Sequence, residues 1–193
     1  MKSRLHIGVS AAAWLLATTA TGFAGQVSCD GFALGYDGSA EKKTCLDENT
    51  STGDMTSEMK ELRVHDHGSY LAVAYETTGT RTYLPFHSPR ELLHVSSFTD
   101  VQTWGPSRKI GEFDTIAFTG APAGHDVQLA CALFVRYSGN PGNHELNGGP
   151  GAKDAVRGVY CATPASLTPA QQKDGFYSVV EQVLGKLTIP PTQ

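Results

Sequence analysis

The sequence predicts an α+β domain, in which a mainly antiparallel sheet carries one C-terminal amphipathic helix on a face and is stapled by disulfides. Three observations lead to this prediction. Short runs rich in β-forming residues follow one another between residues 70 and 162, apolar residues recur at helical spacing near the C-terminus, and the four cysteines form an even set. Strands first and a single helix last are typical of α+β architecture rather than of alternating βαβ units.

The first 24 residues have the pattern of a secretory signal peptide. A basic start at Lys2 and Arg4 precedes a short apolar run over residues 7–20, and Gly22-Phe23-Ala24 places small residues at the −3 and −1 positions of a cleavage site. We therefore expect residues 1–24 to be removed and residues 25–193 to form one globular domain. The mature protein is then periplasmic or secreted, and we expect no transmembrane segment in it.

Charge and composition narrow the class of partner. Loss of Lys2 and Arg4 with the leader lowers the formal net charge from −4 to −6. The chain has no basic run interleaved with aromatic residues, the pattern typical of nucleic-acid binding, so we expect no nucleic-acid partner. The expected partner is an envelope or extracellular molecule that the sequence does not identify, and no cofactor is expected.

The cysteines predict two disulfides. Cys29, Cys45, Cys131 and Cys161 all follow the leader, and an even count in an exported chain favours complete pairing. Four cysteines allow three pairings. We favour Cys29–Cys45 and Cys131–Cys161, because the members of each pair are close in sequence.

The first half of the mature chain contains one clear strand. Residues 25–57 are polar and predict mostly loop, held by the first disulfide, and residues 56–62 fit either helical turns or a strand. Residues 70–77 (YLAVAYET) predict a strand that a turn at 78–80 connects to a second strand at 81–86, forming a hairpin. Ser88-Pro89 then has the N-cap serine and first-turn proline of a short helix that runs to about Val95.

The second half is more regular. Residues 113–119 alternate apolar and polar, residues 127–137 form the clearest strand, and residues 156–162 predict its partner across a sixteen-residue loop at 138–153. Thr168-Pro169 opens the C-terminal helix, which Gly185 ends. The apolar stripe of that helix consists of Phe176, Val179, Val180, Val183, Leu184 and Leu187.

One segment resembles a known group of proteins. Cys131-Ala132-Leu133-Phe134, a glycine-rich gap, Gly158-Val159-Tyr160-Cys161-Ala162 and a terminal helix are similar to uncharacterised exported proteins of proteobacteria, which share a Cys-x-x-Phe strand and a Gly-x-Tyr-Cys strand near the C-terminus. The resemblance covers about the last third of the chain. It implies no activity, and it supports the Cys131–Cys161 pairing.

His65-Asp66-His67 is the candidate metal site. Residues two apart in an extended segment face the same way, so both imidazoles could reach one ion. Zinc needs a third and a fourth ligand, for which His87, His94 and Glu58 are candidates that the sequence does not place nearby. The alternative is a polar strand entry with both imidazoles in water.

The loop at residues 138–153 is the candidate binding site. Its polar residues Asn140, Asn143, His144 and Glu145 lie among five glycines, which allow a backbone to approach a ligand closely. Long loops of this kind are often functional. The alternative is a hairpin connection closed at its base by a disulfide.

No catalytic motif is evident. The chain has no Gly-x-Ser-x-Gly nucleophile elbow, and paired cysteines leave no thiolate. The sequence therefore favours a non-enzymatic binding or interaction module of the cell envelope. The alternative is a metal-dependent hydrolase or metal-binding protein that uses His65 and His67.

Overall fold

A computed structural model describes residues 25–52, 55–79, 83–95, 98–122, 127–139, 142–143 and 150–191. The strands are β1 (Gly25–Val27), β2 (Gly35–Tyr36), β3 (Lys42–Thr52), β4 (Met55–Asp66), β5 (Ser69–Thr78), β6 (Leu84–Pro85), β7 (Phe98–Ile110), β8 (Phe113–Pro122), β9 (Leu129–Ser138), β10 (Gly142–Asn143), β11 (Pro150–Ala152), β12 (Asp154–Ala162) and β13 (Leu187–Thr188). The helical elements are 3₁₀ turns at Glu91–Val95 and Pro164–Ser166, a π-helical turn at Gln171–Gly175, and α1 (Phe176–Leu184). The predicted signal peptide lies outside the described residues.

One large antiparallel sheet dominates the fold. Its eight strands run in the order β1-β3-β4-β5-β12-β9-β8-β7. Two small sheets, β10-β11-β6 and β13-β2, accompany it. The late strand β12 lies between β5 and β9, so the two halves of the chain meet at the centre of the sheet.

The α+β prediction is wrong: the protein is mainly β. An eight-stranded antiparallel sheet carries a nine-residue α-helix, and most described residues are strand. The prediction failed at residues 25–57, where a polar sequence suggested loop but β3 pairs along its whole length with β4. Ladder hydrogen bonds do not require apolar side chains, and the register partners Cys45 and Leu62 of this hairpin are both buried in the core.

The predicted hairpin of residues 70–86 is also wrong. The first strand is present as β5, but its neighbours are β4 and β12, whereas β6 pairs with β11. The short helix after Ser88 is a 3₁₀ turn, whose start is capped by a 2.6 Å hydrogen bond from the Ser88 backbone N–H to Glu91 Oε2.

Both disulfide predictions are confirmed. Cys131 and Cys161 are direct partners in the register of β9 and β12 and are almost fully buried. Cys29–Cys45 ties the segment after β1 to β3. The predicted pairing of residues 127–137 with residues 156–162 is also confirmed, since β9 pairs with β12.

Both faces of the sheet are covered. The first, here called the helix face, packs against α1 through Val179, Val180, Val183 and Leu184. The second, here called the turn face, buries the Cys131–Cys161 disulfide and Leu92 of the first 3₁₀ turn. Reciprocal hydrogen bonds between Thr168 and Gln171 form a capping box where the C-terminal helical segment begins.

The C-terminal helical segment matches its prediction in most positions. It ends at Gly185 as expected, but its middle is a π-helical turn, and Leu187 belongs to β13 instead of the helix stripe. Among the described residues, no helix is long and apolar enough to cross a membrane.

Candidate functional site

A band of polar side chains crosses the helix face where the apolar core ends. In the strand register, two neighbouring rows of residues run across the sheet on this face, because side chains alternate between faces along each strand. We call these residues the polar band: Asp47, Asn49, Glu58, Lys60, Tyr75, Thr77, Arg136, Ser138 and Asp154. The next row inward is apolar and includes Leu62, Val73 and Phe134.

The centre of the polar band is a buried carboxylate. Asp154, the first residue of β12, is 2% exposed. Its Oδ1 accepts a long hydrogen bond of 3.5 Å from Tyr75 Oη, and its Oδ2 has no hydrogen-bond partner among the described residues. Burial, followed by the charge of Asp154, raises the pKa of Tyr75. Tyr75 therefore stays protonated at neutral pH and acts as a hydrogen-bond donor rather than as a base.

The cations of the polar band are already engaged with other acids. Lys60 Nζ lies 2.6 Å from Glu58 Oε1 and 3.3 Å from Asp47 Oδ2, and its hydrogen bond to Glu58 is the largest cause of its raised pKa. Arg136 Nη1 lies 2.8 Å from Glu112 Oε2. None of these ion pairs includes Asp154.

Unpartnered polar atoms gather around Asp154. Ser138 Oγ and Arg136 Nε, like Asp154 Oδ2, are buried without a hydrogen-bond partner among the described residues. Ser138 is the direct register partner of Asp154, and Arg136 lies two residues earlier on the same strand and face. Buried polar atoms are satisfied in nearly all native proteins, so three such atoms on neighbouring positions of the sheet call for an explanation, such as a hydrogen-bonding partner from outside the chain.

A surface cleft of about 340 Å³ adjoins this group. It is lined by Lys109, Gly111, Glu112, Arg136, Tyr137 and Ser138. Gly139 follows at the base of the predicted binding loop with a φ of +86°, and a Cβ there would stand 3.4 Å from Asp154 Oδ2 and 2.8 Å from Lys153 Cβ. The unpartnered oxygen therefore faces the glycine at the start of the loop.

The predicted binding loop is described only in part. Asn140, His144 and Glu145 lie outside the described residues, and the backbone of Asn143 pairs with Pro150 in the small β10-β11 ladder. The strand ends that bound the loop are Ser138 and Asp154, and both belong to the polar band. The loop residues themselves stay a prediction.

The predicted metal ligands His65 and His67 lie in different surroundings. His65 is on β4, and its ring is tilted against that of Tyr70 with the centroids 4.8 Å apart. Its pKa is lowered first by burial and then by the charges of Lys42 and Arg63. His67 follows the end of β4 in a turn with a φ of 35°, is exposed, and has Nδ1 2.9 Å from Asp66 Oδ1.

The suggested additional ligands do not join them. Glu58 lies at the far end of β4 on the opposite face from His65 and pairs with Lys60, His87 lies beside Tyr137, and His94 is in the first 3₁₀ turn. Within the described ranges, no group of three or more His, Cys, Asp or Glu side chains is placed to hold a metal ion. The metal assignment stays a prediction.

Sequence reasoning missed Asp154, Tyr75 and Arg136. Their signal was present, since Arg136 follows Phe134 at strand spacing and shares its face, a position where an apolar residue is expected. A charged residue on the same face of a strand as the core residues indicates either the end of the core or a functional site. The register of the neighbouring strands is needed to tell which charged side chains lie close to one another.

No protein-family model, curated protein or solved structure matches this chain. We therefore argue its function from the residues of the polar band and from the two disulfides.

Proposed function

We propose that this protein is an exported, non-enzymatic binding module of the cell envelope whose ligand contacts the polar band. Two disulfides support export, because disulfides persist in oxidising compartments and are rare in the cytosol. The signal-peptide pattern and the resemblance of the last third of the chain to exported proteobacterial proteins point in the same direction.

The observation that carries the binding proposal is the group of three buried polar atoms on Arg136, Ser138 and Asp154, which lie beside a cleft and have no hydrogen-bond partner in the described part of the chain. Such atoms cost folding free energy when nothing binds them, and a ligand that supplies their hydrogen bonds recovers that cost. Binding is proposed rather than catalysis because Tyr75, which donates a hydrogen bond to Asp154, is held protonated and acts as a donor.

The experiment compares Ser138→Ala with wild type and with Ser107→Ala, an exposed serine of β7. The full chain is expressed in a Gram-negative host, its fractionation and N-terminal mass are determined, and co-sedimentation with the envelope fraction is measured. We expect a periplasmic protein that begins at Gly25, contains no free thiols and sediments with the envelope. Ser138→Ala should be at least as stable as wild type, because an unpartnered hydroxyl is removed, and should sediment less.

Two results would overturn the proposal. A reduced chain that keeps Met1 in the cytoplasm would refute export. Equal sedimentation of wild type and Ser138→Ala would refute the polar band as the contact surface, and Ser107→Ala controls for the general loss of a serine hydroxyl.

A further inference from the structure

We infer that Asp154 binds the protonated amino group of a ligand, so that the ligand class of this protein is a primary organic ammonium ion. This inference deepens the proposed function and rests on it. It follows from three features of the site: a carboxylate without an ion pair among the described residues, acceptor hydroxyls on both sides of it, and a cleft at the neighbouring strand.

The first feature is the charge balance of the polar band. Lys60 is shared by two acids and Arg136 is paired with Glu112, whereas Asp154 is 2% exposed and makes a single long hydrogen bond. Buried carboxylates in proteins are paired with a cation or receive several hydrogen bonds. Among the described residues only Tyr75 donates to Asp154, so its Oδ2 is left for a donor that comes from outside.

The second feature is the identity of the neighbours. In the register, Thr77 of β5 and Ser138 of β9 are the direct partners of Asp154 on the same face of the sheet. An ammonium group carries three donors and no acceptor, and one carboxylate between two hydroxyls offers it three acceptors. A calcium ion requires six to eight oxygen ligands, which is about twice what these three side chains provide.

The third feature is access. Ser138 and Arg136 line the cleft of about 340 Å³, which therefore extends to the strand beside Asp154. A Cβ at Gly139 would stand 2.8 Å from Lys153 Cβ and 3.4 Å from Asp154 Oδ2, so the glycine allows the backbone to pass close to the carboxylate. Arg136 lines this cleft, and its Nε–H, which has no hydrogen-bond partner among the described residues, would donate a hydrogen bond to a carboxylate or hydroxyl oxygen on the body of the ligand.

The test uses the purified, disulfide-intact mature protein and n-butylammonium chloride as probe. Binding is followed by NMR titration and by the thermal midpoint, with n-butanol as the neutral probe and sodium chloride at equal ionic strength. We expect n-butylammonium alone to raise the midpoint, because a ligand that binds the folded state stabilises it. Asp154→Asn should raise the apparent Kd at least about tenfold, since it removes the charged partner. Asp37→Asn, an exposed acid outside the band, should leave it unchanged.

A second measurement separates binding from a structural role. Without ligand, Asp154→Asn should have a midpoint equal to or above that of wild type, because the amide removes a buried, unpaired charge. A lower midpoint with unchanged n-butylammonium affinity would show a structural residue and overturn the inference. If Asp154→Asn fails to fold, Ser138→Ala takes its place, and an unchanged Kd in that variant would likewise overturn it.

The outcomes also separate this inference from the proposed function. Envelope sedimentation that depends on Ser138, without any binding of n-butylammonium, would leave the binding module standing and remove the ammonium site. Binding of n-butylammonium that depends on Asp154, without envelope association, would support the ammonium site and refute the envelope-binding module.

Discussion

Replacement of Gly158 by alanine is expected to destabilise the fold strongly, because this glycine lies where two neighbours occupy the space of a side chain. Gly158 is on β12 between β5 and β9, and its register partners are Val73 and Phe134. A Cβ at this position would clash with the backbone carbonyl oxygen of Ala72 and would stand 2.5 Å from Cζ of the Phe134 ring.

The expected loss of unfolding free energy depends on how far the two neighbours of Gly158 can shift. The Ala72 carbonyl belongs to a central strand, and Phe134 is fully buried and packs edge-on against Phe113 at 5.5 Å. Overpacking in a core costs about 1–3 kcal/mol, and two rigid neighbours place Gly158→Ala near the upper end, at about 3 kcal/mol. For a domain of this size that corresponds to a fall of about 6–12 °C in the thermal midpoint.

The assay is thermal and urea unfolding of Gly158→Ala beside Gly25→Ala, since a Cβ at Gly25 meets nothing within 4 Å. The cost of Gly158→Ala should also be smaller in a Phe134→Leu background, because part of the clash is with the ring. A midpoint within about 2 °C of wild type would refute the close approach, and an equal cost in both backgrounds would show that the ring plays no part.

Three further predictions concern the disulfide, pH dependence and maturation. The double variant Cys131→Ala/Cys161→Ala should lose about 3–4 kcal/mol of unfolding free energy, because the disulfide joins residues with a sequence separation of 30. Non-reducing peptide mapping of wild type checks the bond itself, and free thiols at these two positions would contradict it. Because burial lowers the pKa of His65, the unfolded state binds a proton at this imidazole more readily than the folded state does, so the unfolding free energy should fall as pH drops below about 6.5. Urea titrations should show a smaller fall of the unfolding free energy in His65→Gln than in wild type, and an equal fall would contradict this prediction. Cleavage before Gly25 would place a new ammonium group opposite Asp47, whose Oδ1 has no hydrogen-bond partner among the described residues. NMR titration should therefore find the pKa of the α-amino group above its usual range in wild type and lower in Asp47→Asn, and equal values would contradict the contact.

Sequence pattern predicted structure correctly where apolar runs, capping residues and cysteine spacing were clear. Residues 129–135 of β9 form a continuous apolar run rich in β-forming residues, so a strand was predictable there. The proximity of Cys131 and Cys161 in sequence led to the prediction of the disulfide that joins β9 to β12. The C-terminal helix was predictable from its capping residues and apolar stripe for the same reason.

Local pattern failed where hydrogen bonding to a neighbour decides the structure. Strand β3 has a polar sequence and becomes a strand because β4 satisfies its backbone. Strand β5 is followed in sequence by β6 yet pairs with β12, which lies far along the chain. The residues near β5 in sequence do not indicate which distant strand will pair with it.

The sequence by itself determined which residues form the strongest strands, the C-terminal helix and both disulfides, because periodicity, capping and cysteine spacing are local properties. Tertiary structure alone decided that the class is mainly β and that Tyr75, Arg136, Ser138 and Asp154 lie together. These four come from three strands separated by up to 79 residues in the chain, and only the register of the assembled sheet brings their side chains to one face. The physical reason is that the hydrogen-bond partners of a buried carboxylate are set by every strand that packs around it.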